Sequence, residues 1–269
     1  MPLIQTLAIT TEPLAAEKLF NIGPLAITNS MLFGVITAVL VIGLLFSAAK
    51  LSQLYPRSRF AYTIELLIDG IWGVAIGTFG NRKTALKHLP LLATLFIFIL
   101  LSNLSGSGLV PFVGPISAHT SGGETVSLLR PFTTDLNATL SMAILTIGLV
   151  QFYAIRQLGI KGHLRHYFAA PLWNPMNLFI GLNEVFGELL RIVTLSMRLF
   201  GVIYAGEVLI AAVNQLAGNF GWLATVPTVL LEIFFSIIQA YVFMMLSATY
   251  LSVAIGDDNH EKQEGAPAH

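Results

Sequence analysis

Six ionisable residues stand where charge is expensive. Glu184, Glu188, Arg191, Arg198, Glu207 and Glu232 all lie inside two long apolar stretches, roughly 173–216 and 222–255. One charge at the centre of a membrane helix costs about 2.5–3.5 kcal/mol on insertion scales, and such groups line ion pathways or pair in the protein interior. Glu184 and Glu188 have a simpler alternative, because a side chain near a helix end reaches interfacial water. Arg198 lacks that escape. No charged residue lies within six positions of it, and Met197, Leu199 and Phe200 surround it.

Helical spacing sorts these groups. At about 100° per residue, Glu184, Glu188, Arg191 and Arg198 share one face. Glu207 lies half a turn around the axis from Arg198 and about 13 Å further along it. In the last stretch Glu232, Ser236 and Gln239 fall on one face with Phe243, so three polar groups form a stripe. In lipid such a stripe must face protein or a water-filled cavity. A fixed cation among separated carboxylates suits the movement of protons or another small cation across a bilayer.

The composition demands the membrane that this chemistry needs. The chain has 269 residues, of which 55% are hydrophobic and 10% charged, with a mean hydropathy of +0.77. A soluble domain carries about a quarter charged residues. Basic and acidic residues balance at 14 each, so no bulk attraction to nucleic acid is implied. Cysteine is absent, which excludes disulfides and thiolate metal sites. The first thirty residues carry Glu12, Glu17 and Lys18 without a basic leader before an apolar core, so no cleaved signal peptide is expected.

A bilayer core about 30 Å thick requires about 20 apolar helical residues. Segments 31–49, 89–104 and 136–155 satisfy this, as do the two C-terminal stretches, joined by a hairpin at Gly218-Asn219-Phe220-Gly221. Segment 61–80 is ambiguous, and loop charge decides it. Lys50, Arg57 and Arg59 precede it; Arg82, Lys83 and Lys87 follow it. Short basic loops stay cytoplasmic, and both clusters are cytoplasmic only if this segment does not cross. Glu65 and Asp69, four residues apart, give it a charged face suited to the inner surface. The expected fold is an all-α membrane protein with five crossings plus one interfacial amphipathic helix, the last two helices forming a long, tilted hairpin.

The chain is expected to form a single membrane domain: an outer segment over 1–27, a helical membrane region over 28–255, and a mobile polar tail over 256–269. Arg156, Lys161 and Arg165 then fall inside, while the loop 106–134, with only Arg130, falls outside. The N-terminus is outside and the C-terminus cytoplasmic. Residues 183–217 contain no proline and span about 52 Å as one helix. Either this helix breaks at Gly201 or Gly206, or it lies steeply tilted against a protein partner.

These residues resemble a known family. The run Leu195-Ser-Met-Arg198-Leu-Phe-Gly-Val-Ile-Tyr-Ala-Gly-Glu207 is similar to the signature helix of subunit a of F-type ATP synthases. The likeness continues in Gln239-Ala-Tyr-Val-Phe-Met-Met-Leu-Ser-Ala-Thr-Tyr-Leu251, in Asp135-Leu-Asn-Ala-Thr-Leu-Ser-Met142 and in Leu101-Ser-Asn-Leu104, and covers roughly 28–255. It implies a non-catalytic stator that needs no cofactor or metal. Its implied partners are a rotor ring of subunit c, the peripheral-stalk subunit b and the rest of the ATP synthase, in a bacterial plasma membrane.

By the same resemblance, Arg198 matches the arginine facing the rotor carboxylate, and Gln239 the glutamine opposite it. Glu207 matches the acidic position after Ala-Gly, and Glu232 a position held by histidine or a carboxylate. Asn103, Asp135 and Asn137 match polar positions near an outer inlet; Glu184 matches an acidic position on the inner side. Val202 and Gly106 depart from the asparagine and aspartate that some members carry. With Arg191 assigned a peripheral role, the expected pathway runs inward through Asp135, Asn137, Glu232 and Glu207, and out past Glu184 and Glu188.

Two rival readings differ in kind. An ion-coupled secondary transporter also places charges at mid-membrane, but no inverted repeat is visible and five crossings are few. A membrane enzyme would draw on His163-Leu-Arg-His166, which lies in a basic inner loop, or on Gly80-Asn-Arg-Lys-Thr84, which lacks the glycine before the lysine that a phosphate loop needs. The ion ligands belong to the rotor, so H⁺ and Na⁺ both stay open.

Overall fold

The computed structural model describes residues 18–22, 25–51, 59–106, 117–119, 125–127, 131–167 and 175–264. Arg57, Arg130, most of the expected outer segment and the last residues of the expected tail lie outside this set. Six helices carry the described chain: α1 (Asn29–Leu51), α2 (Arg59–Phe79), α3 (Arg82–Gly106), α4 (Leu136–Tyr167), α5 (Pro175–Ala217) and α6 (Gly221–Glu264). All six are long and apolar enough to cross a membrane. Two short antiparallel hairpins, β1 (Lys18–Ile22) with β2 (Leu25–Thr28) and β3 (Ser117–His119) with β4 (Thr125–Ser127), flank them. Strands this short leave too little alternation to be read from sequence.

The helix starts are locally encoded. Thr28 Oγ1 accepts the N–H of Met31 at 3.3 Å and so caps α1. Asp135 Oδ1 accepts the N–H of Asn137 at 3.0 Å and caps α4 in the same way. The crossing part of α4 ends in a kink at Gly159, whose φ of 76° a side chain would strain. Gly218 (φ 51°) opens the tight turn between α5 and α6.

The core is organised around α3. Leu92, Ala93, Leu95, Phe96, Ile97 and Ile99 are buried over more than half of its circumference, while Thr94 on the remaining side is exposed, so α3 is covered mainly by neighbouring helices. It packs on α1, α2 and α6. The face of α6 turned inward carries Ala240, Phe243, Met244 and Ala248; its alanines let the helix axes approach closely. By contrast α1 exposes Val35, Val39, Leu40, Ile42 and Phe46, as a helix bordering hydrocarbon does.

The helix α5 is continuous. It runs 43 residues through Gly201 and Gly206 without a break, about 64 Å. Each interior glycine weakens a helix by about 1 kcal/mol relative to alanine. Breaking it within hydrocarbon would strand backbone groups at several kcal/mol each, and the intact helix wins. The helix α6 continues to Glu264, past the boundary expected at 256. On α2, Ile64, Ile71 and Ala75 are buried while Glu65 and Asp69 are exposed.

Candidate functional site: a polar seam between α5 and α6

The stripe on α6 faces inward. Glu232, Ser236 and Gln239 are all buried, and both Glu232 carboxylate oxygens, Ser236 Oγ and Gln239 Nε2 have no hydrogen-bond partner. Unpaired buried polar groups are costly in protein interiors. Their concentration on one face forms a polar strip, with several unfilled donors and acceptors, able to bind water.

A cleft of about 300 Å³ opens beside Glu232. It is lined by Gly201, Val202, Ala205, Gly206 and Leu209 from α5, and by Thr228, Leu231 and Phe235 from α6. The α5 residues 198, 202, 205 and 209 recur at helical spacing, so the cleft opens on the face that carries Arg198. That face is otherwise largely apolar, with Ala205, Leu209 and Leu216 exposed. Arg198 itself is exposed and makes no ion pair among the described residues.

Two contacts fix the register of the hairpin. Gly206 of α5 lies directly against the Glu232 side chain of α6. Towards the other end the Arg191 guanidinium lies over the Tyr250 ring at 4.9 Å. The helices are antiparallel, and halfway between these anchors Arg198 comes level with Tyr241, within one helical turn of Gln239. Glu232 then stands about 10 Å from Gln239 along α6. Glu207, next to Gly206, is turned about 100° from the Glu232 contact and is half-buried.

At the end where α1 and α4 begin and α3 finishes, a second polar cluster forms. A 3-10 turn, Phe132–Thr134, packs against α1, α3, α4 and α5. Asp135 is buried and accepts a hydrogen bond from Ser30 Oγ at 3.0 Å. Asn103 is buried with both amide atoms unpaired, whereas the Asn137 side chain is exposed. Thr139 Oγ1 and Ser196 Oγ, 3.3 Å apart, link α4 to α5 two residues before Arg198. At the opposite end of α5, Glu188 accepts a hydrogen bond from Arg191, and Glu184 is half-buried.

The structure thus brings Arg198, Glu232 and Gln239 to one helix pair, puts Asp135 and Asn103 among the elements around the 3-10 turn, and leaves Glu184 and Glu188 apart from both. Ser30, Thr139 and Ser196 belong to these clusters without having been given a part in the pathway from the sequence, and Gly206 entered there only as a possible break in the long helix. A hydroxyl or a glycine gives no signal until its neighbour across space is known. No group of three or more metal-ligating side chains occurs among the described residues.

Six spanning-length helices with carboxylates and guanidinium groups along their seams define a multi-helix membrane protein with charged groups held between its helices. Residues 31–252 match the ATP synthase A chain family, and the chain belongs to it. It is 33% identical over 236 residues to ATP synthase subunit a of Moorella thermoacetica, covering 87% of this chain and 94% of that one. To ATP synthase subunit a 2 of Bradyrhizobium sp. it is 34% identical over 249 residues, covering 91% and 97%.

Proposed function

We propose that this chain is the proton-conducting stator of an F-type ATP synthase, with two offset half-channels separated by Arg198. The observation that carries the reading is the α5–α6 seam: an exposed guanidinium within a helical turn of the level of Gln239, on the face where a cleft leads to the unpaired Glu232 carboxylate. A rotor ring of subunit c would lie on that apolar face and bring its own carboxylate to Arg198. The guanidinium stays charged at all physiological pH values. It draws the ring carboxylate into its ionised form and repels a proton crossing directly between the half-channels. Moving one charge through 100 mV releases about 2.3 kcal/mol, which rotation transmits to the catalytic subunits.

In this reading protons enter at Asn103, Asp135 and Asn137, pass to Glu232 and Glu207, and leave past Glu184 and Glu188. The N-terminus is outside, the C-terminus is cytoplasmic, and subunit b docks elsewhere on the helical surface. The amphipathic α2 lies along the inner face, leaving five crossings; its exposed Glu65 and Asp69 favour this over burial in hydrocarbon. The Thr139–Ser196 contact supports a steep tilt of α5. Beyond Ser196, α5 extends about 31 Å, while Thr139 is only about 5 Å from the start of α4. Parallel helices would push the apolar end of α5 far out of the hydrocarbon, so α5 must incline across α4.

The test is Arg198→Ala in the assembled complex. Proton-driven ATP synthesis is expected to be abolished with subunit a still present, and passive proton leak through the complex to rise. Normal coupled synthesis in that variant would remove Arg198 from the mechanism.

A further inference from the structure

Gly206 is the closest approach of α5 to Glu232. A Cβ placed on Gly206 would stand 2.9 Å from Oε1, 3.0 Å from Cδ and 3.1 Å from Cγ of Glu232. All three atoms belong to one side chain, and no other atom is as near. Moving only the carboxylate tip would not clear the contact, because Cγ is included. Relief requires rotation of the whole Glu232 side chain about its first torsion. Other interior glycines are different: a Cβ on Gly148 or Gly201 meets nothing within 4 Å.

We propose that Gly206 is a positioning residue: its missing side chain lets Glu232 lie against the α5 backbone and hold its carboxylate at the head of the cleft. This inference rests on the reading of Glu232 as a proton relay. Alanine is the better helix former, so α5 itself gains from Gly206→Ala. Any loss of function then comes from the displaced carboxylate. The cleft gives Glu232 somewhere to go, which makes displacement, rather than separation of the helices, the expected response.

The experiment measures ATP-driven proton pumping by the reconstituted holocomplex, with subunit a content determined for each variant. A displacement of about 1 Å can lower a positioned reaction by about 100-fold, and Gly206→Ala is expected to lose at least about a tenth of that range, tenfold or more. Gly148→Ala, on the exposed side of α4, should pump as the unaltered complex does. A larger side chain crowds Cδ and Cγ further, so Gly206→Val should pump less than Gly206→Ala. Pumping in Gly206→Val no weaker than in Gly206→Ala would overturn the proposal. So would normal pumping in Gly206→Ala when Glu232→Gln is impaired. Normal pumping in Glu232→Gln would instead remove the relay reading itself. If Gly206→Ala fails to assemble, recovery of assembly on adding Glu232→Ala identifies the same contact, and continued failure refutes it.

Discussion

Asp135 has two roles that a pair of substitutions separates. Structurally, its Oδ1 caps α4 through the Asn137 N–H, and its Oδ2 accepts from Ser30 Oγ on α1, each at 3.0 Å. Asp135→Ala removes both acceptors. Losing a cap costs about 1 kcal/mol; losing the Ser30 bond costs about 0.5–1.5 kcal/mol, because Thr28 Oγ1, 3.1 Å from Ser30 Oγ, remains as a partner. The sum is about 1.5–2.5 kcal/mol, roughly 10- to 60-fold in a local folding equilibrium at about 1.4 kcal/mol per factor of ten. Asp135→Asn keeps an oxygen for the cap, at which asparagine serves as well as aspartate, and its amide can meet Ser30 from either side. Only the titratable charge is lost. The assay pairs thermal dissociation of subunit a from the solubilised complex with proton pumping in vesicles. Asp135→Ala should dissociate at lower temperature. Asp135→Asn should dissociate near the normal temperature yet pump more slowly. Full pumping in Asp135→Asn would confine Asp135 to a structural role. A normal dissociation temperature in Asp135→Ala would refute the argument that the cap and the Ser30 bond hold this end together.

Two further outcomes test the pathway's layout. Because the chain has no cysteine, Leu209→Cys beside the cleft and Val185→Cys beside Glu184 each supply its only thiol; both positions are exposed. Membrane-impermeant reagents should label position 209 from the outer face and position 185 from the cytoplasmic face of sealed vesicles, and the opposite pattern would reverse inlet and outlet. Arg191→Lys should retain most pumping, because lysine keeps the charge beside Glu188 and over Tyr250; a loss as deep as that of Arg198→Ala would show that Arg191 is no peripheral group.

Much of the molecule is local information. Runs of apolar residues mark helices that cross a bilayer without reference to one another, because each satisfies its own backbone hydrogen bonds. Thr28 and Asp135 sit at helix starts for reasons confined to three or four residues. The alignment of Glu232, Ser236 and Gln239 follows from the helical period alone, and so does the placement of Glu207 on a different face of α5 from Arg198.

What the sequence left open was decided by contacts between distant segments. Whether α5 breaks at Gly201 or Gly206 depended on what packs beside it, and the packed helix runs through both. Gly206 looks like any helical glycine until Glu232 is found against it. Ser30 reaches Asp135 across 105 positions, and Thr139 meets Ser196 across 57; no periodicity encodes such pairs. The two short hairpins arise in segments too brief to carry a pattern. Hydropathy and period act within one turn or one bilayer thickness, so sequence alone determined the helices and the sides their charges occupy. Which side meets which neighbour is set by steric fit and the pairing of buried polar groups across the fold, and only the tertiary structure decided that.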